Sequence, residues 1–194
     1  MPRLFAAVAL PRRICQALSF LNGGVPGAHW AGEDQFHITL RFVGEVDGPT
    51  ASDVADALAD IGGAPFTLGV RGVGHFDKGR TPTVLWAGVE NAAPLFRLHE
   101  KIDRAMVRLG LPADPRKYHP HVTLARLKGA YRDRVGAFLA AHAGFDAGTA
   151  EVRSFHLYSS HRGQGGAVYR IEETYPLADG LREAAPGGTL ETGA

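Results

Sequence analysis

The chain has 194 residues, enough for one compact domain or two small lobes sharing a core. Hydrophobic residues make up 45%, charged residues 21%, and the net charge is +1. This is the balance of a soluble globular protein and not of a nucleic-acid-coating polycation, so an anionic substrate has to be held by a local patch. The single cysteine, Cys15, excludes an internal disulfide framework and fits a reducing compartment.

In chain order, Leu4 to Leu10 reads as a buried strand. Pro11-Arg12-Arg13 ends this apolar run before any small-residue cleavage site, which argues against a signal peptide. A helix opens at Pro11 with Ile14, Leu18 and Leu21 on one face and stops at Asn22-Gly23. A Gly/Pro-rich loop leads to a strand from Phe36 to Val43, and a helix from Pro49 to Ile61 carries Val54, Leu58 and Ile61 inward. Phe66 to Val73 and Thr83 to Val89 are the next strands, the second rich in β-branched and aromatic residues. The clearest helix starts at Pro94, has Leu95, Leu98, Ile102, Met106 and Leu109 as its apolar stripe, and closes at Gly110. A strand from His119 to Leu127 and a helix from Tyr131 to Ala141 follow. Ala150 to Ser159 and Ala167 to Glu173 read as two strands of a hairpin. Residues 1–181 are expected to form the domain. Residues 182–194, rich in Gly, Glu, Thr and Ala, read as a disordered tail. The strand pairs and the two similar halves predict an α+β fold with mainly antiparallel sheets. No apolar run approaches the ~20 residues of a membrane-spanning helix, so a cytoplasmic protein without membrane partners is expected.

The most informative feature is a duplicated tetrapeptide. His37-Ile38-Thr39-Leu40 recurs as His121-Val122-Thr123-Leu124, and each copy lies on a predicted strand. With nine His and ten Thr in the chain, the pattern His-apolar-Thr-apolar is expected by chance only about 0.1 times. Strand alternation puts each His and Thr on one face and the apolar pair on the other. Two such strands side by side would gather two imidazoles and two hydroxyls around one small volume. That set suits attack at phosphorus. An imidazole with a pKa near about 6.5 can take a proton from the nucleophile or give one to the leaving oxygen. Threonine hydroxyls can donate to the charged non-bridging oxygens. The residues alone leave open which histidine is acid and which is base.

Charge is distributed in keeping with this. Arg116 to Arg134 holds six basic residues against one acid, Asp133, whereas Glu45 to Asp60 holds five acids and no base. Other histidine readings compete. His119 shares a strand face with His121 and could form half of a metal site, yet no Cys or carboxylate cluster lies nearby in sequence. His99 reads as helix surface, and His29, His75, His142, His156 and His161 as structural or solvated. Cys15 reads as core. Phosphate-loop, nucleophile-elbow and His-Asp signatures are absent from the sequence.

At these residues the chain resembles the 2H phosphoesterases, specifically the bacterial RNA 2′,3′-cyclic phosphodiesterases, also called 2′-5′ RNA ligases. The resemblance runs from Arg3 to about Leu177. It includes Arg3-Leu4-Phe5-Ala6-Ala7-Val8, Phe36-His37-Ile38-Thr39-Leu40-Arg41-Phe42-Val43-Gly44-Glu45, Val84-Leu85-Trp86-Ala87-Gly88-Val89 and His119-Pro120-His121-Val122-Thr123-Leu124-Ala125-Arg126. It implies a bilobal fold of two antiparallel sheets flanked by helices, with pseudo-twofold symmetry and a central cleft. It implies that His37 is the proton donor to the leaving 3′ oxygen and that His121 is the proton acceptor that activates water. Thr39, Thr123 and Arg126 would bind the phosphate, with no metal and no cofactor. The expected partner is an RNA or nucleotide ending in a 2′,3′-cyclic phosphate, and a monomer is expected. Three other readings remain: a related enzyme acting on another cyclic or 2′-5′ phosphoester, an idle RNA-binding protein of the same fold, and a metal-dependent hydrolase using His119 and His121. Phe76 and Tyr158 are candidate platforms for a base.

Overall fold

A computed structural model describes residues 2–163 and 166–178. The tail assigned to 182–194 lies outside the described residues. The chain runs β1 (Arg3–Ala9), α1 (Arg12–Ser19), β2 (Ala28–Trp30), a 3-10 turn (Glu33–Gln35), β3 (His37–Glu45), α2 (Gly48–Ala59), β4 (Phe66–Lys78) and β5 (Thr81–Glu90). It continues with α3 (Ala93–Arg108), β6 (His121–Leu127), α4 (Arg132–Ala141), β7 (Asp146–Val152), β8 (Ser154–Gly163) and β9 (Gly166–Pro176).

The local signals act as the sequence suggests. Pro11 stands at the N-cap of α1, which buries Ile14, Cys15 and Leu18. Asp47 caps α2, its Oδ1 accepting the Thr50 N–H at 2.9 Å. Helix α3 buries Leu95, Leu98, Ile102, Ala105 and Met106, and Gly110 ends it at φ 83°, a conformation that costs a residue without Cβ little.

All pairings are antiparallel, and the order is β7-β4-β5-β6-β3-β1-β8-β9, with β2 added to β6. The molecule is thus two four-stranded halves, β7-β4-β5-β6 and β3-β1-β8-β9, which meet at β6 and β3. The expected pair of sheets is continuous through a seam of one residue pair, Ile38 opposite Val122. Those are the second residues of the two tetrapeptides.

Strand alternation separates two faces. Leu4, Ala6, Val8, Ile38, Leu40, Leu85, Ala87, Val122 and Leu124 enter the main core with the apolar sides of the four helices. Phe5, Ala7 and Tyr158 form a second cluster with Tyr169. The helices therefore cover one face of the sheet and leave the other, which carries the histidines, open.

Two expectations need correction. The single strand expected from Ala150 to Ser159 is two strands, β7 and β8, separated at Arg153. β7 pairs with β4 in one half and β8 pairs with β1 in the other, so the chain changes halves at that residue. The strand expected to end at Val73 continues to Lys78, because its hairpin partner β5 pairs with it as far as Thr81. Strand β2 carried too few residues to register as a pattern.

Candidate active site

Each motif sits on its strand as alternation requires. Ile38, Leu40, Val122 and Leu124 are at most 1% exposed, while His37, Thr39, His121 and Thr123 are only half-buried on the open face. Beyond Thr39 and Thr123 the alternation breaks in the same way twice. In β3, Ala7 pairs with Thr39 and Ala6 with Arg41, leaving Leu40 as an extra residue. In β6, Trp86 pairs with Thr123 and Leu85 with Ala125, leaving Leu124 extra. A bulge therefore follows each His-x-Thr, bending the strand and shifting the later residues by one position.

The bulges separate two arginines that look alike in sequence. Arg41 stands two residues after Thr39 and turns inward. It is 7% exposed, Nε donates to Asp103 Oδ1 at 2.6 Å, and the guanidinium also donates to the Phe42 and Pro112 carbonyls. It is a buried, fully paired charge that anchors the loop after α3. Arg126 stands three residues after Thr123 and returns to the open face. It is exposed, has no carboxylate partner among the described residues, and its charge opposes protonation of both His37 and His121.

The two imidazoles are held in one manner. His37 Nδ1 donates to the Gln35 carbonyl at 2.7 Å, and His121 Nδ1 donates to the His119 carbonyl at 2.7 Å. A proton on Nδ1 fixes the tautomer in which Nε2 exchanges protons. Both groups favour the neutral form. Burial lowers the His37 pKa to about 4, against the hydrogen bond to Gln35, with His121 and Arg126 adding repulsion. Burial also lowers that of His121, with further repulsion from His119, Arg126 and Arg116. An anion placed between the rings would raise both.

The surroundings of the histidines follow the same pseudo-twofold frame and then diverge. Val8–Ile38, Ala9–His37 and Phe5–Phe42 across β1 and β3 correspond to Ala87–Val122, Gly88–His121 and Val84–Arg126 across β5 and β6. One step outward, Tyr158 faces Phe5 and Phe76 faces Val84. The two aromatic candidates thus occupy equivalent positions. His37 is packed by Phe5 (ring centroids 4.9 Å apart) and by Tyr169 edge-on at 5.1 Å. His121 has Phe76 edge-on at 4.9 Å. Phe76 in turn meets Trp86 and His119. Trp86 lies flat over Gly74, where a Cβ would come within 2.2 Å of its ring.

Beside His121 a cleft of about 770 Å³ opens, lined by residues including Thr39, Phe42, Phe76, His99, Tyr118 and His119. His99, expected on the helix surface, is half-buried on this wall. Its Nδ1 donates to the Leu40 carbonyl at 2.7 Å, and its ring stacks on Tyr118 at 4.1 Å. The Tyr118 hydroxyl donates to the Thr39 carbonyl at 3.1 Å. Together they hold the two carbonyls that flank the first bulge. In the other motif the Leu124 carbonyl instead accepts the Ala31 backbone N–H at 2.8 Å. Nothing local in the sequence marks His99 or Tyr118 for this, since the contact joins residues 59 and 79 positions apart.

The remaining expectations fall as follows. Cys15 is buried in the core. His156, expected to be structural or solvated, has its Nδ1 2.9 Å from Thr174 Oγ1. Of the basic run, Arg116 is tied to Asp114 and Arg132 to Asp77. Among the described residues no three His, Cys, Asp or Glu side chains converge as metal ligands, and no helix is long and apolar enough to cross a membrane.

The comparisons with known proteins agree with this geometry. An Aeropyrum pernix protein named RNA 2′,3′-cyclic phosphodiesterase is 36% identical over 154 residues, 78% of this chain and 87% of its own length. A Thermotoga maritima protein of the same name is 34% identical over 147 residues, covering 75% of this chain and 77% of its own. Among solved structures, E. coli LigT complexed with 3′-AMP superposes with a TM-score of 0.77 at 25% identity, over 92% of this chain and all of its own. The Thermus thermophilus protein TT0787 gives 0.76 at 29% identity, over 90% and 97%. The family model of the 2′-5′ RNA ligase superfamily matches residues 11–164, and with its two His-x-Thr strands paired at their centre the chain belongs to that superfamily.

Proposed function

We infer that this chain is an RNA 2′,3′-cyclic phosphodiesterase, opening the cyclic phosphate to a 2′-phosphomonoester by acid–base catalysis between His37 and His121. The observation that carries the reading is the pair of imidazoles held alike, Nδ1 to a carbonyl two residues upstream, on either side of the Ile38–Val122 pair. The names of the relatives from Aeropyrum and Thermotoga support the substrate, and the 3′-AMP complex of the E. coli relative supports a nucleotide as the occupant.

In this mechanism His121 Nε2 takes a proton from water as its oxygen attacks phosphorus. His37, carrying a proton on Nε2, gives it to the 3′ oxygen as the P–O3′ bond breaks. The products are a 2′-phosphomonoester and a free 3′-hydroxyl. The assignment of donor and acceptor follows the family, because the local geometry of the two rings is the same. Thr39, Thr123 and Arg126 hold the non-bridging oxygens, where negative charge grows in the transition state. Both proton transfers are covered by the chain's own residues, so the scheme needs no metal. The phosphodiester anion raises the pKa of each histidine on binding, which gives His37 the proton that it lacks in the free protein. With a 5′-hydroxyl in place of water, the same displacement joins two strands through a 2′-5′ linkage without ATP. Water is the more abundant nucleophile, and hydrolysis dominates.

The test is hydrolysis of an RNA oligonucleotide ending in a 2′,3′-cyclic phosphate, with a chelator present. Wild type is expected to yield the 2′-phosphate, and His37→Ala and His121→Ala are each expected to be slowed by roughly 10²-fold or more. Absence of turnover by wild type, or full activity in both variants, would refute the assignment. Loss of activity on adding chelator would favour the His119/His121 metal reading.

A further inference from the structure

The pseudo-twofold relation makes the two histidines equivalent, but the space beside them is not equivalent. On the His37 side the volume is filled. Phe5 and Tyr158 stack at 5.1 Å, and Tyr169 on β9 closes over the His37 ring. Two differences mark the His121 side, which is open. Val84 stands where the other half has Phe5, so the cross-strand neighbour is smaller by most of a ring. The outer strand is also shorter there. β9 accompanies β8 to its end, Gly166 opposite Gly163, whereas β7 begins at Asp146 opposite Arg71 and leaves the end of β4 without a further strand beside it. The cleft of about 770 Å³ opens on this side, with Val84 and Phe76 in its wall. Its size is in the range of sites that enclose a ligand much larger than a phosphate group.

The charges on its walls are unequal once partners are counted. Asp77 is 2.6 Å from Arg132, Asp114 is 3.1 Å from Arg116, and Arg41 is 2.6 Å from Asp103. That leaves Lys78 and Lys117. Both line the cleft and are exposed, and neither has a carboxylate partner among the described residues. Around them are the flat rings of Phe76, Phe42 and Tyr118. Unpaired cations beside aromatic surface are the recurring means of holding single-stranded nucleic acid without regard to sequence.

We propose that this cleft is a strand subsite, in which Lys78 and Lys117 hold the phosphodiester on the 5′ side of the terminal nucleotide while the aromatic wall carries a base. The inference rests on the activity proposed above and extends it: the preferred substrate is a single-stranded RNA end and not a cyclic mononucleotide. A mononucleotide reaches the histidines, threonines and Arg126 but has no second phosphate for the lysines.

The experiment compares kcat/KM for a 2′,3′-cyclic mononucleotide with that for a dinucleotide bearing the same cyclic end. It uses wild type, Lys78→Ala/Lys117→Ala, Lys78→Arg/Lys117→Arg and Phe76→Ala. Wild type is expected to favour the dinucleotide by about tenfold or more. The alanine pair should bring the ratio close to one, the arginine pair should retain most of it, and Phe76→Ala should lower it. The logarithm of the ratio should fall with the logarithm of salt concentration, with a slope of about −0.7 for the one added phosphate. A wild-type ratio near one, or a preference that survives the alanine pair, overturns the subsite while leaving the activity standing. Failure of wild type to open either substrate overturns the activity itself, and the subsite with it.

Discussion

The half built on β1 and β3 and the half built on β5 and β6 carry the same His-x-Thr unit on differently finished scaffolds. Both have the His-x-Thr strand, the bulge after the threonine and the Nδ1 bond to a carbonyl two residues back. They differ where the unit does not need them alike. Phe42 in one half corresponds to Arg126 in the other, and Phe5 to Val84. Trp86 over Gly74 is answered by the small Ala7 opposite the larger His156. The proposed phosphate site would need its two proton carriers matched. It needs only one arginine and one open side, because the substrate itself has no twofold symmetry. The repeated strand geometry is what the halves share, and the neighbouring residues are where they differ.

The largest effect should come from breaking both units together. If the two histidines act in one step, as proposed, the double variant His37→Ala/His121→Ala should be hardly slower than the worse of the single variants, not slower by the product of the two losses. Single-turnover rates on the cyclic-phosphate oligonucleotide would show this, and multiplicative losses would mean that the two histidines act independently.

The lowered pKa of His37 gives a pH signature of comparable size. The folded chain keeps His37 neutral down to about pH 4, whereas the unfolded chain takes up its proton near pH 6.5. Stability is therefore lost as pH falls between those values, by up to about 3 kcal/mol from this group alone. Urea unfolding of wild type and His37→Gln at pH 7 and pH 4.5 should show a smaller loss in the variant. An equal loss would mean that His37 is protonated in the folded state.

Packing offers a third comparison. Gly74→Ala drives a methyl into the Trp86 ring and should cost roughly 1–3 kcal/mol in a thermal or urea melt. Ala7→Gly, at the small member of the corresponding pair in the other half, removes only one methyl and should cost less. The smallest effect should be at the first bulge. Tyr118→Phe removes one hydrogen bond to the Thr39 carbonyl and should lower kcat by no more than about tenfold, with KM little changed. His99→Asn, whose amide can donate to the Leu40 carbonyl, should be more active than His99→Ala. If the two His99 variants were alike, that hydrogen bond would not be what positions the strand.

Much of this molecule was legible in order along the chain. The helix stripes, the proline and glycine boundaries and the duplicated His-x-Thr needed only local periodicity, since a side chain's face is set within two to four residues. Phe76 and Tyr158 occupy equivalent positions across the two halves, but only Phe76 lines the cleft, and Tyr158 is buried against Phe5. The bulges were not legible, because an extra residue in a strand is defined by its partner. Hence Arg41 and Arg126, both close behind a threonine, could not be told apart until one was found buried against Asp103 and the other on the open face.

The sequence by itself determined the chemistry: which side chains can move protons and hold a phosphate, and that each pair shares one strand face. The tertiary structure decided their use. It brought residues 84 positions apart to a single backbone pair, changed halves at Arg153 within a run of unbroken strand character, and placed His99 and Tyr118 behind the first motif. It also opened a cleft beside His121 that has no counterpart described beside His37. Each of these is a contact between distant segments. Their cost in chain entropy is met only by the assembled core, so no local pattern records them.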